Sequence, residues 1–280
     1  MHFSVAVITE GLPNPSQLED MLAPFQENNM GTCPREYLEF FEEDIEQYRE
    51  DYETEVLTKY KLRDGSFVDN LDENNDAHRG AIKTEISAIE LYPNYDDYLL
   101  NEIQLNFDQE KQKFGCWANP DAEWDWYSFG GRWTGYLKFP RGNKNSFRFF
   151  AEDIETSRYK SDIYRLADCG LIKDLIVAPN AEERRISSLE WELKVENRIP
   201  KNTIEKKLIE NLNYININSL KNEYKTKENY VAKSRHIATE AVITKDGLWY
   251  NIGGNPDMFI ERVIKNAQKN DYISIVDCHI

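Results

Sequence analysis

His2-Phe3-Ser4-Val5-Ala6-Val7-Ile8, read together with Tyr272-Ile273-Ser274-Ile275-Val276-Asp277-Cys278-His279, decides the fold. Both segments are dense in β-branched residues and read as strands, one near each end of the chain. A hairpin precedes the second: residues 237–244, the Lys245-Asp246-Gly247 turn and residues 248–252. Between these strands lie helical patterns at 16–22, 95–107, 203–212 and 257–270, without regular β-α alternation. That order predicts one α+β domain over residues 1–280. Its centre is a mostly antiparallel sheet with helices packed on one face, and a ferredoxin-like portion is one form the sheet can take. No Gly-rich strand-to-helix turn follows a strand, which argues against a doubly wound nucleotide fold.

The remaining segments are placed around that frame. In residues 34–60, Tyr37, Phe41, Ile45, Tyr48 and Tyr52 recur at three- and four-residue steps, and Pro34 suits a first helical position. This predicts a long acidic helix, the main part of an acidic helical insertion over 30–110. Residues 61–80 read as a loop and 81–92 as a further helix. A Trp-rich motif and strand hairpin occupy 111–150, the strand running over 132–139 and residues 146–150 pairing back on it. Further on, 162–170 reads as helix, 189–195 as strand, and 203–212 as a helix capped by Thr203. The C-terminal hairpin, helix and strand fill 234–280.

Composition narrows the function classes. The chain has 280 residues, 40% hydrophobic and 12% aromatic, which is a globular composition. No apolar run approaches a membrane span, and residues 1–9 read as strand rather than signal peptide, so the cytoplasm is the expected location. Cys33, Cys116, Cys169 and Cys278 are widely spaced and the four histidines are scattered, so neither a metal site nor a cofactor is called for. The net charge of −16 is uneven: residues 1–110 hold 26 acids against 7 bases, and residues 111–280 hold 24 against 27. Such a field repels nucleic acid and attracts basic protein surfaces.

The densest motif is Ala122-Glu123-Trp124-Asp125-Trp126-Tyr127-Ser128-Phe129-Gly130-Gly131-Arg132-Trp133. Arg132 beside two glycines is suited to hold a phosphate or carboxylate, and Trp124, Trp126, Tyr127 and Trp133 are suited to wall a base-stacking pocket with Asp125. The opposing reading makes the tryptophans core and pairs Arg132 with a nearby acid. A smaller constellation lies at the chain ends. Asp277 and His279 share one face of the last strand, Cys278 takes the other, and His2 joins them if the first and last strands are neighbours. That would be an acid–base or metal site.

Several pieces resemble a family encoded in tailed-bacteriophage genomes: the opening Met1-His2-Phe3, Leu22-Ala23-Pro24-Phe25-Gln26-Glu27, Trp117-Ala118-Asn119-Pro120 with the motif after it, the hairpin 242–250, and the terminal Val276-Asp277-Cys278-His279-Ile280. Together they cover about a quarter of the chain. A looser similarity exists to ferredoxin-like plasmid and phage proteins with a Trp-Gly-x-x-Trp motif. The chain departs from the family in its longer acidic segment and in Gly253-Gly254-Asn255-Pro256, which replaces a Trp-containing loop. The resemblance implies a virus-related accessory protein and brings no reaction with it. The leading expectation is a phage-encoded, non-enzymatic inhibitor of a bacterial anti-phage defence system. It would bind a host defence protein or complex through an acidic surface carrying Glu39, Glu43, Glu46 and Glu50, with no membrane partner and with self-association left open. The alternative, from a different class, is a binder or hydrolase of a nucleotide immune signal with the Trp-rich motif as its pocket.

Overall fold

A computed structural model of the chain describes residues 1–150, 161–212 and 215–280. They form two compact units, Met1–Gln26 with Glu123–Ile280, and Glu27–Ala122 between them in sequence. The first unit opens with β1 (His2–Glu10) and the helix Pro15–Leu22, whose first turn is capped by Asn14.

The second unit is built largely from strands. β2 (Glu39–Glu42), β3 (Val56–Lys61), β4 (Phe67–Val68), β5 (Ile82–Ser87), β6 (Asn106–Asp108) and β7 (Lys113–Ala118) make two three-stranded sheets, ordered β2-β7-β6 and β4-β3-β5. The long acidic helix expected over 34–60 is not formed. That stretch holds a 3₁₀ turn at Arg35–Tyr37, β2, a second 3₁₀ turn at Ile45–Tyr48 and the short helix Arg49–Thr54. Two effects account for the difference. In a continuous helix Glu39 and Glu43, Glu42 and Glu46, and Glu46 and Glu50 would meet at i,i+4, and like charges there are destabilising. In the folded chain β7 takes up the β2 backbone, with Phe40 against Trp117 and Lys113 bonded to Glu42 at 2.6 Å. Residues 82–87 are likewise strand, since Ile82, Thr84 and Ile86 alternate. Tyr52, Leu57, Tyr98, Leu99 and Phe114 form this unit's core.

Back in the first unit come β8 (Trp126–Phe129), β9 (Leu137–Pro140), β10 (Ser146–Phe147), β11 (Tyr164–Ala167), β12 (Cys169–Leu171), β13 (Ala241–Ile243), β14 (Trp249–Asn251) and β15 (Asp271–His279). Among the described residues the main sheet runs β10-β12-β15-β1-β13-β14, and β8 pairs with the far end of β15 on the β12 side. All its pairings are antiparallel except β1 with β13. The two predicted terminal strands are full partners, nine residues in register from His2↔His279 to Glu10↔Asp271. Among the described residues a ferredoxin-like portion is not formed. It would put the second hairpin strand beside β1, whereas β13, the first, lies there and β14 lies outside it.

Period-two alternation sends the sheet's side chains to two buried faces. Ala6, Ile8, Val242, Ile273 and Ile275 meet Phe259 and Val263 on one; Val5, Val7, Ile243, Val276 and Cys278 meet Leu18 and Leu22 on the other. Helices therefore cover both faces, not one, which explains why β1 and β15 are near-continuous apolar runs.

Other expectations along the chain are corrected. Residues 131–133 form a 3₁₀ turn rather than the start of a strand, and β9 pairs with β11, while β10 pairs with β12. Residues 162–170 hold β11 and the start of β12 rather than a helix, and 189–195 lie in or beside the helix Ala181–Lys194. The helix Thr203–Asn211 is capped by Asn202, not Thr203. No described helix is long and apolar enough to cross a membrane.

Glu183 closes the capping box of the helix Ala181–Lys194, accepting from the Asn180 N–H at 3.0 Å, Lys138 Nζ at 2.7 Å and the Tyr164 hydroxyl at 2.9 Å. Burial works to raise its carboxyl pKa, but these hydrogen bonds outweigh burial and hold it below the ordinary value. A lowered folded-state pKa contributes stability above the unfolded-state value that is lost as pH falls through the folded one. Glu183→Gln is expected to cost about 1–3 kcal/mol at pH 7. The gap to the native chain should shrink as urea melts are repeated below about pH 4.

Candidate functional site

The β1–β15–β8 registers place His2, His279 and Trp126 in one row across three adjacent strands, because His2 pairs with His279 and His279 with Trp126. Directly opposed residues project to the same face of a sheet. Two residues along β15, Asp277 occupies the same face between Ser4 and Ser128. Asp125, just before β8, donates its N–H to the His279 carbonyl at 2.9 Å and so brings its carboxylate to the end of the row.

Two histidine–aspartate pairs result. Nδ1 of His2 lies 3.0 Å from Oδ1 of Asp277, and Nδ1 of His279 lies 2.9 and 3.1 Å from the two oxygens of Asp125. A carboxylate on Nδ1 fixes a proton there and turns Nε2 outward as the working nitrogen. The two ring centroids are 5.0 Å apart, with the planes at 73°. Trp126 stacks on His279 at 5.5 Å and meets His2 edge-on at 5.1 Å, yet keeps 40% of its surface exposed. Nε2 of His279 lies 3.2 Å from the Met1 amino nitrogen.

Each carboxylate is itself held by backbone. Asp277 is 2% exposed and accepts the Arg132 N–H on its second oxygen at 3.0 Å. Asp125 accepts the Trp126 N–H at 2.7 Å. Burial opposes ionisation of Asp125, and the bonds from His279 and Trp126 prevail, keeping its carboxyl below the usual value.

The Gly-Gly-Arg turn supports this arrangement. Gly131 has φ +50°, and a Cβ there would lie 2.6 Å from Asp277 Cβ and Oδ2. Only glycine lets the turn approach closely enough for the next N–H to reach the carboxylate. Asp168, fully buried, clasps the far side of the same turn through the Gly135 N–H at 2.5 Å and Thr134 Oγ1 at 3.3 Å.

The six residues singled out in the Trp-rich motif do not wall one pocket. Asp125 and Trp126 join the histidine row. Trp124 is 3% exposed, bonds Leu22 O through Nε1 at 3.1 Å, and packs edge-on against Tyr127 on the opposite face of the sheet. Burial first, then Glu19, pushes the Tyr127 hydroxyl up to about 12. Trp133 packs against the first core and lines a separate cavity of about 410 Å³ with Tyr136, Tyr224, Arg235 and His236. The cations of that cavity are already engaged, Arg235 with Glu190 and Lys233 with Asp257 at 3.0 Å. Arg132 is exposed and contributes its backbone to the site, while its guanidinium makes no ion pair among the described residues.

The four glutamates expected on one helix face are distributed over β2 (Glu39), the turn after it (Glu43), a 3₁₀ turn (Glu46) and a helix (Glu50). Glu43 accepts from Gln47 and Glu46 from Arg49. Their unit, residues 27–122, holds 24 acids against 9 bases, a net −15 of the chain's −16. Cys278 is fully buried on the far face from the histidines, and burial raises its thiol well above the ordinary value, so it is no nucleophile for them. Among the described residues no group of three or more His, Cys, Asp or Glu is arranged to hold a metal. No protein-family model, curated protein or solved structure matches the chain.

Gly131→Ala is expected to cost about 1–3 kcal/mol from positive φ and steric overlap with Asp277. Gly142→Ala, with nothing within 4 Å of an added Cβ, should stay within about 0.5 kcal/mol of the native chain. Denaturant melts give the energies, and His2 ring resonances report whether the Asp277 contact is displaced.

Proposed function

We propose that this protein is a virus-derived accessory factor that captures, and removes by binding or hydrolysis, a small nucleotide used as an immune signal in the bacterial cytoplasm. The observation that supports this reading is the row of two carboxylate-held imidazoles beside a 40%-exposed indole. An exposed indole face accepts a nucleobase by stacking. Imidazole N–H groups backed by carboxylates are donors suited to phosphate oxygens, and they can also move protons. The resemblance to phage-encoded proteins supplies the biological setting.

A second reading keeps the protein as a non-enzymatic inhibitor that docks on a host defence assembly. It is favoured by the concentration of net charge in residues 27–122, which include Glu39, Glu43, Glu46 and Glu50. Complementary charge of this kind steers association and makes it salt-sensitive. The two readings assign activity to different units, so they separate experimentally.

Tryptophan fluorescence titrated with a panel of cyclic and linear mono- and dinucleotides tests the first. Binding is expected, and Trp126→Ala should weaken it by roughly 5- to 150-fold, the ~1–3 kcal/mol of one stacked base. Trp124→Phe should leave affinity unchanged in whatever fraction remains folded. Charge reversal of Glu39, Glu43, Glu46 and Glu50 to Lys should also leave it unchanged. If that reversal instead abolishes protection of phage, while no nucleotide on the panel binds, the docking reading replaces the first.

A further inference from the structure

Resting on the nucleotide reading above, we propose that the two histidine–aspartate pairs form a two-imidazole acid–base site that cleaves a 3′,5′-phosphodiester of a short ribonucleotide, using the substrate's own 2′-hydroxyl as nucleophile.

The chemistry follows from what the site supplies and what it leaves to the substrate. Asp277 and Asp125 each occupy Nδ1 of one imidazole, which leaves Nε2 as the working nitrogen of each ring, the rings 5.0 Å apart; His279 Nε2 lies 3.2 Å from the Met1 amino nitrogen and exchanges that contact for the substrate. One neutral imidazole removes a proton and the other, protonated, delivers one; a carboxylate behind each stabilises the charged form as it appears and fixes the tautomer. The nearest thiol, Cys278, faces the other side of the sheet and is fully buried. Ser4 on the Asp277 row is 3% exposed and accepts the Glu240 N–H at 3.3 Å, which keeps it from a substrate. A nucleophile brought by the substrate completes the set. In a nucleotide that is the 2′-hydroxyl adjoining a 3′-phosphodiester.

The step balances without a co-reactant. One Nε2 accepts the 2′-hydroxyl proton as the O2′–P bond forms, the P–O5′ bond breaks, and the departing O5′ takes a proton from the other Nε2. The products are a 2′,3′-cyclic phosphate and a free 5′-hydroxyl. The imidazoles end with their protonation states exchanged, and proton exchange with water restores them. Trp126 supplies a stacking surface for a flanking base, adjoining His279 at 5.5 Å. The chain's net charge of −16 selects against long polynucleotides and in favour of mono- to oligonucleotide substrates, linear or cyclic.

The native protein is incubated in EDTA with 3′,5′-linked ribodinucleotides, linear and cyclic, and with their 2′-deoxy and 2′-O-methyl counterparts, and products are identified by mass. Cleavage of the ribo forms alone, to 2′,3′-cyclic phosphate and 5′-hydroxyl ends, is the expected result. His2→Gln and His279→Gln should each lower the rate by roughly 10²- to 10⁴-fold. A substrate with sulfur bridging at the 5′ position, whose thiolate leaves without a proton, should recover the rate in one of the two variants and not the other. That recovery cannot come from a merely structural histidine. Cleavage of the deoxy forms at comparable rate, or nucleotide binding without turnover, overturns this inference and leaves the binding reading standing. No binding by fluorescence and no cleavage overturns both. The analogue comparison uses only native protein, so it decides the matter even if neither variant folds.

Discussion

The nine-residue ladder between β1 and β15 is the constraint on which the first unit depends. It buries two apolar strands against each other with no unpaired edge between them. β13 pairs with β1 on the other side, and β12 and β8 pair with β15. Because each strand alternates, a slip of one residue would exchange the two cores, moving Ile273 and Ile275 onto the face that Val276 and Cys278 occupy. The same slip would send His279 to the wrong face and dissolve the histidine row. Register is thus fixed by hydrophobic burial across the sheet, and the polar site is set at the end of the ladder by packing elsewhere in it.

Around that ladder the polar groups are arranged in tiers. Two imidazoles rest on two carboxylates, and both carboxylates rest on backbone N–H groups from the Trp-rich segment. The Gly130–Gly135 turn is clasped from both sides by buried acids, Asp277 and Asp168. Burial raises the Asp168 carboxyl pKa, partly offset by the bonds it accepts from Gly135 and Phe149. Leaving one of these buried groups without its partner costs about 1–3 kcal/mol. The tandem glycines therefore orient a carboxylate, and through it an imidazole.

Much of this was legible in the sequence where burial alone dictates structure. The terminal strands, the hairpin around Lys245-Asp246-Gly247 and the helix expected at 16–22 follow from β-branched runs, turn residues and helical spacing. The Asp277, His279 and His2 constellation was also readable, conditional on the outer strands being neighbours. What pattern could not supply was Asp125, whose role comes from a long-range backbone bond to His279. The acidic stretch misled because its aromatic spacing satisfies a helix, while pairing of Glu39–Glu42 with β7 and repulsion along one helix face act against it. The six-residue Trp-rich pocket dissolved for a related reason: period-two alternation sends Tyr127 and Trp126 to opposite faces of the sheet.

The β1–β15 ladder has a consequence for synthesis. Phe3 finds its partner Cys278 only after 274 intervening positions have been made, and β13, the other neighbour of β1, is 230 or more residues away as well. At ribosomal rates of about 5–20 residues per second, β1 waits on the order of 10–50 s with both backbone edges open. A Val- and Ile-rich strand in that condition is a template for pairing with another nascent chain. The helix Pro15–Leu22 follows within a few residues and carries Leu18 and Leu22, which pack on the Val5 and Val7 face of the finished sheet. Early docking of that helix would shield one face of the strand. The other face, and both edges, remain to be guarded by whatever attends the polysome.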